Sequence, residues 1–169
     1  MSIRKVGEIE IYETDKHINE YSRKEREKYV NELFKEEYIG KEISYLLNDK
    51  EIKALINQTT RKNFNALSHH GIRTEKRKAF NIEHDIAFSG DYIFFVSNAK
   101  YSNTNKEFKA GQNKNHREDN LWHNFTKTII FNNIYFNLTI NVRERNNKFC
   151  IHNTKLKEIK KEADKPSNK

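Results

Sequence analysis

The chain of 169 residues holds one cysteine, Cys150, so a disulfide framework and a CxxC metal site are both excluded. It also lacks any apolar run near the ~18–20 residues of a membrane span. Its first residues, Met1-Ser2-Ile3-Arg4-Lys5-Val6, contain no apolar signal core. A cytoplasmic protein without membrane contact is the expectation. HExxH, HxH, GxxxxGKS/T, GxGxxG and GxSxG are missing too, which argues against zinc-protease, nucleotide-driven and serine-hydrolase chemistry. His69 and His70 are adjacent, and neighbours on a helix point about 100° apart, so they do not share a metal readily. Neither a metal nor a cofactor is expected. Cys150 reads as a small buried hydrophobe, with a nucleophilic role beside His152 as the lesser alternative.

What the chain does hold is charge and aromatic bulk. Charged residues make up 33% and aromatics 12% of the sequence, and the aromatics can supply a compact core. Residues 1–60 carry 11 Lys/Arg against 13 Asp/Glu, a net of −2; residues 61–169 carry 21 against 11, a net of +10. The positive excess therefore sits in the last two-thirds. A basic domain draws polyanions through counterion release, and nucleic acid is the commonest such partner. A basic surface kept for solubility is the plain alternative.

Patterning predicts an α+β protein with N-terminal helices and a C-terminal three-stranded meander. Residues 1–56 read as a helical region, after a weak strand over 3–12. Helices are expected over 15–38, with Asp15 as cap, over 41–48, from 49 onward, and again up to Gly71. A helix over 74–87 follows. Asp91 to Ser97 is aromatic and β-branched and reads as a buried strand. Residues 98–120 read as a long loop and 161–169 as a basic disordered tail.

The stretch from Trp122 to Thr154 is the most informative. Strands are expected over 122–131, 134–143 and 148–154, joined by Asn132-Asn133 and Arg145-Asn146-Asn147 turns. In the middle strand Ile134, Phe136, Leu138, Ile140 and Val142 point one way. Tyr135, Asn137, Thr139, Asn141 and Arg143 point the other. Carried across the second hairpin, Phe149 and Ile151 would face the core and Cys150 and His152 the polar side. His123 and Thr126 are placed on that polar side as well, although Ile129 and Ile130 are both apolar and leave the parity of the first strand open.

Imidazoles, hydroxyls, amides and a guanidinium on one sheet face suit metal-independent RNA cleavage. That reaction needs a base for the ribose 2′-hydroxyl, an acid for the 5′-oxygen and a cation for the phosphorane. His69 or His70, His123 and His152 are the acid and base candidates; Arg143 or Lys127 is the cation. Thr126, Thr139 and Asn141 would position substrate, and Trp122 or Tyr135 would stack a base. His17, His84 and His116 read as surface, structural and loop residues.

The order of these pieces resembles a family. A helix ending in Ser68-His69-His70-Gly71 is followed by a Lys/Arg-rich helix closing on Gly90, an aromatic strand and a polar loop. Then come Trp122-His123-Asn124-Phe125, the turn Ile130-Phe131-Asn132-Asn133-Ile134-Tyr135, and Phe149-Cys150-Ile151-His152. Over residues 57–160 this resembles the barnase–EndoU–colicin–RelE nuclease-like superfamily, near domains of phage and mobile-element polyvalent proteins and polymorphic toxins. The resemblance implies N-terminal helices packed on a small curved antiparallel sheet, and a toxin-like endoribonuclease acting on RNA, plausibly tRNA, bound on an exposed concave sheet face. A cognate antitoxin or immunity protein would be its protein partner. The family's histidines would fall on His69 or His70, on His123 and on His152. Asn132-Asn133 stands where relatives often carry Gly-Lys, so Arg143 or Lys127 would have to supply that cation. A non-catalytic nucleic-acid-binding module and a phage-type inhibitor or immunity protein remain the alternatives.

Overall fold

The computed structural model describes residues 1–14, 22–66, 74–106 and 120–159. The chain opens with a hairpin of β1 (Ser2–Val6) and β2 (Ile9–Glu13). Helix α1 (Arg23–Leu33) starts at a capping box: the Ser22 hydroxyl accepts from the Glu25 N–H at 3.2 Å, and the Glu25 carboxylate accepts from the Ser22 N–H at 3.3 Å. A π-helical turn, Phe34–Tyr38, continues the helix and buries both of its end residues. Ser22, rather than Asp15, is thus the cap of the described helix, and Asp15 lies outside the described residues.

Residues 41–56, expected as helix, are instead a hairpin of β3 (Glu42–Leu47) and β4 (Lys50–Leu55). Asn48 and Asp49 turn it at φ +50° and +68°, the left-handed pair of a type I′ turn. Ile43, Tyr45, Ile52 and Ala54 are its buried positions, a period of two and not 3.6. The described part of the first 56 residues is therefore two hairpins around one helix and its π-helical turn, not a helical region. Their Tyr12, Val30 and Ile52 share one core with Leu138 and Ile151.

Helices α2 (Gln58–Ala66) and α3 (Thr74–Phe88) lie where helix was expected. Residues 91–97 do not form the expected strand. They hold a one-turn helix, α4 (Tyr92–Val96), whose Phe95 N–H bonds the Asp91 carbonyl at 2.9 Å. Strand β5 (Lys100–Lys106) occupies part of the expected loop. It is followed by β6 (Leu121–Phe131), β7 (Ile134–Arg145) and β8 (Lys148–Glu158). Asn132-Asn133 and Asn146-Asn147 turn these strands at positive φ, as their composition implied. The tail over 161–169 lies outside the described residues.

The eight described strands form one curled open sheet ordered β1-β2-β6-β7-β8-β4-β3, with β5 on the first half of β6. The mixed helix-and-strand class holds, but the arrangement differs from the small antiparallel sheet expected. β6, β7 and β8 are antiparallel neighbours in the middle of a larger sheet, in which β2 runs parallel to β6 and β4 parallel to β8.

Tyr45 of β3 stacks on Phe125 of β6 at 4.5 Å with planes 21° apart, although β7, β8 and β4 lie between those strands in the sheet. The sheet must bend until its inner face meets itself. That concave side is filled by Phe34, Phe95, Phe136, Leu138 and Ile140, each fully buried and each contributing about 1.5–3 kcal/mol by removal from water. The polar side of the central strands is consequently convex. This corrects the implied binding face, since the concave side is occupied by the core.

Candidate nucleic-acid interface

Parity along β6 is settled by burial. His123, Phe125, Ile129 and Phe131 are buried, and the Lys127 side chain is 6% exposed, so odd positions face inward. Trp122, Asn124, Thr126 and Thr128 therefore face out. Each meets an outward residue of β7: Arg143, Asn141, Thr139 and Asn137 in turn. These continue onto Cys150, Asn153, Lys155 and Lys157 of β8. Most of the expected polar face is thus assembled, in rows that cross three strands. One row is locked internally, because Asn141 donates its amide to Asn124 at 2.8 Å and Asn124 donates to Asn103 at 2.9 Å. Tyr135 pairs with Ile130 at the far end of the same face.

Strand β8 carries one residue too many for a regular ladder. Val142 pairs with Ile151 and Asn141 with Asn153, which leaves His152 as a bulge. Helix α2 supplies the cause. Thr60 donates its hydroxyl to the Ile151 carbonyl, and Asn63 donates its amide to the His152 carbonyl at 2.8 Å. Successive carbonyls of a regular strand point to opposite edges. Here both turn toward α2, which closes the edge of β8 beyond its pairing with β4 at Cys150. The bulge sets the His152 ring 4.7 Å from the Trp122 ring at 71°, edge to face, beside outward-facing Arg143. Arg143 forms no ion pair among the described residues, and its Nε is shielded there without a hydrogen-bond partner. Past the bulge the strand's parity shifts, so Thr154 faces inward. Cys150 is buried, as a small hydrophobe would be.

Two expected site residues, His123 and Lys127, face inward. His123 is buried inward: its Nε2 donates to the Glu144 carboxylate at 2.8 Å, and its Nδ1 is hydrogen-bonded with the Thr104 hydroxyl at 2.8 Å. Tyr101 joins that chain through Thr104 at 2.7 Å. His123 thus bridges β5 and β7 and offers no open nitrogen to substrate. Lys127 is likewise inward, with its Nζ on Glu10 at 2.6 Å and on the Ser97 and Phe94 carbonyls at 2.6 and 3.2 Å. Burial lowers its pKa, and Glu10 opposes that. It ties α4 to β2 and β6. Thr126 is outward, so the expected grouping of His123 with Thr126 is corrected. Ser68, His69 and His70 lie outside the described residues.

The structure also brings forward groups that sequence patterning did not single out. Glu83 is buried and accepts from the Thr154 hydroxyl; burial pushes its carboxyl up to about 8, against the lowering effect of that bond. Its small cavity, about 10 Å³ and lined by Thr60, Asn63, Tyr92 and Asn153 among others, has room for roughly one water. His84 stacks on Phe64 at 4.5 Å, and burial holds it down at about 3, so it is neutral and structural. Alternation along β7 was the available signal for Glu144, since it follows Ile140 and Val142 on the inner side. Nothing in the sequence pattern pointed to Glu83.

No protein-family model matches the chain, and no curated protein matches it. Among solved structures, it is similar to a DUF4783 family protein from Bacteroides uniformis, at 17% identity and a TM-score of 0.23, over 78% of this chain and 87% of that one. So loose a superposition carries no argument about fold or activity. No described helix is long and apolar enough to cross a membrane.

Proposed function

We propose that this chain binds RNA on the outer face of β6–β8 and cleaves it without a metal, as a toxin-like endoribonuclease. The observation that carries the reading is the meeting of Trp122, Arg143 and His152 at one end of a polar, cation-bearing sheet face. Imidazole titrates near neutrality and can take the ribose 2′-proton or return one to the leaving 5′-oxygen. Arg143 would hold the phosphorane, whose extra negative charge needs a fixed cation. The 2′-oxygen bonds to phosphorus as the 5′-oxygen leaves, giving a 2′,3′-cyclic phosphate and a 5′-hydroxyl. His152 accounts for one proton transfer. His69 or His70, which the family resemblance implies, would account for the other.

A second reading has one observation in its favour. His123 is withdrawn to the inner face, which leaves His152 without a second described histidine on the outer face. That suits RNA binding without cleavage. Incubation with total RNA, tRNA included, in EDTA separates the two. Cleavage to cyclic-phosphate ends that disappears in His152→Ala supports the nuclease. A gel shift with intact RNA supports the binding module, and full cleavage by His152→Ala would overturn the assignment of His152.

A further inference from the structure

Alternate residues of a strand lie about 6.7 Å apart on one face, and neighbouring strands about 4.8 Å apart. Along β8, Lys155 and Lys157 follow each other at the longer step, both exposed and neither in an ion pair among the described residues. Behind each lies a similar short series of neutral groups. Thr139 and then Thr126 back Lys155, while Asn137 and then Thr128 back Lys157. No carboxylate of β6–β8 interrupts them, because Glu144 is turned inward to His123 and Glu158 pairs with Lys78 of α3. At the other end the face changes character: Trp122, Arg143, Cys150 and Leu55 stand in register across four strands. The face therefore repeats a cation followed by hydrogen-bonding groups, and ends in an aromatic and apolar corner.

Resting on the RNA reading above, we infer that the ligand is a single strand running along β8. Successive phosphates lie over Lys155 and Lys157, sugars and bases lie over the Thr and Asn rows, and one base lies against Trp122. Shape argues for a single strand. The face is convex, and a duplex is convex too, so the two would touch over a short arc. A flexible single strand can follow the bend. A duplex also turns its base edges toward its own partner strand, away from the neutral rows, whereas unpaired bases present theirs.

The test uses the full chain and a labelled single-stranded oligoribonucleotide of about a dozen residues, 2′-O-methylated so that binding is read apart from cleavage. The variant K155Q/K157Q should reduce the slope of log affinity against log salt by about 1.4, at about 0.7 per single-strand phosphate released. K24Q/K35Q, which removes the same charge from exposed positions on α1 and its π-helical turn, should leave the slope unchanged. The duplex of the same sequence should bind at least several-fold more weakly. Equal losses in both variants, or a duplex bound as tightly, would overturn the placement. If His152→Ala abolishes cleavage while K155Q/K157Q changes nothing, the nuclease reading stands and this strand path is wrong. If no single strand binds, this strand path is wrong, and the RNA reading falls with it only where total RNA is neither cleaved nor shifted.

Discussion

The inner and outer faces of β6–β8 use the same residue types to opposite ends. Inside, His123 is held by Thr104 and Glu144, Lys127 by Glu10 and two carbonyls, and Thr154 by Glu83. Outside, Arg143, Lys155 and Lys157 make no ion pairs among the described residues, and the amides and hydroxyls beside them lie in rows. A histidine or lysine in a strand is therefore no site candidate by type alone. Parity decides whether it is clamped in the core or left available, and adjacent residues of one strand, Thr126 and Lys127, fall on opposite sides of that division.

The inner clamps should be expensive to break. Lys127→Met removes one member of a buried ion pair and leaves Glu10, 1% exposed, with an uncompensated charge; a loss of about 3–5 kcal/mol is expected in urea unfolding. Adding Glu10→Gln should restore much of that loss, since replacing both partners removes the stranded charge. A single-variant loss under about 1 kcal/mol would mean that the pair contributes no more than a surface one does.

Glu83 gives the next largest effect, and its sign is fixed. Its folded pKa, about 8, lies above the ordinary 4.5. Between those values the folded state keeps a proton that the unfolded state has lost. The contribution is full below the ordinary value and is lost as pH rises through the folded one. His84 acts the other way, gaining as pH rises from about 3 toward 6.5. The readout is therefore the difference between wild type and Glu83→Gln in urea midpoint. It should favour Glu83→Gln increasingly from acid to mildly alkaline pH. A constant difference would mean that Glu83 ionises normally.

How much of this was legible follows the same line of parity and period. The clean alternation over ten residues of β7 and the paired asparagines at both turns were enough to place β6, β7 and β8. The same signal stood at Asn48-Asp49, between Ile43-x-Tyr45-x-Leu47 and Ile52-x-Ala54-x-Ile56. There Ile43, Leu46 and Leu47, and again Ile52, Leu55 and Ile56, also fit helical spacing, and tertiary pairing with β8 prevailed over it. Tyr92-Ile93-Phe94-Phe95-Val96 shows the limit of composition, because a short apolar run is equally a buried strand or a buried turn of helix. β5 was hidden because it is polar and exposed nearly throughout. The outer face was legible from β7. The bulge at His152 was not, because the Thr60 and Asn63 side chains that turn its carbonyls come from a helix about ninety residues earlier.

The sharpest test of the comparison sets the two central histidines against each other, and its stability effects are the smallest. His123→Ala leaves Glu144 and Thr104 without their shared partner and should cost about 2 kcal/mol, while cleavage per folded molecule stays near wild type. His152→Ala removes a half-exposed ring from the edge of Trp122 and should cost under about 1 kcal/mol. Cleavage should then be lost, with binding of the 2′-O-methylated strand weakened only a few-fold. Activity and stability would separate onto the two faces of the sheet, histidine by histidine. If His123→Ala lost cleavage while remaining folded, the inner clamp would be part of the reaction, and the division between faces would fail at the residue that defines it.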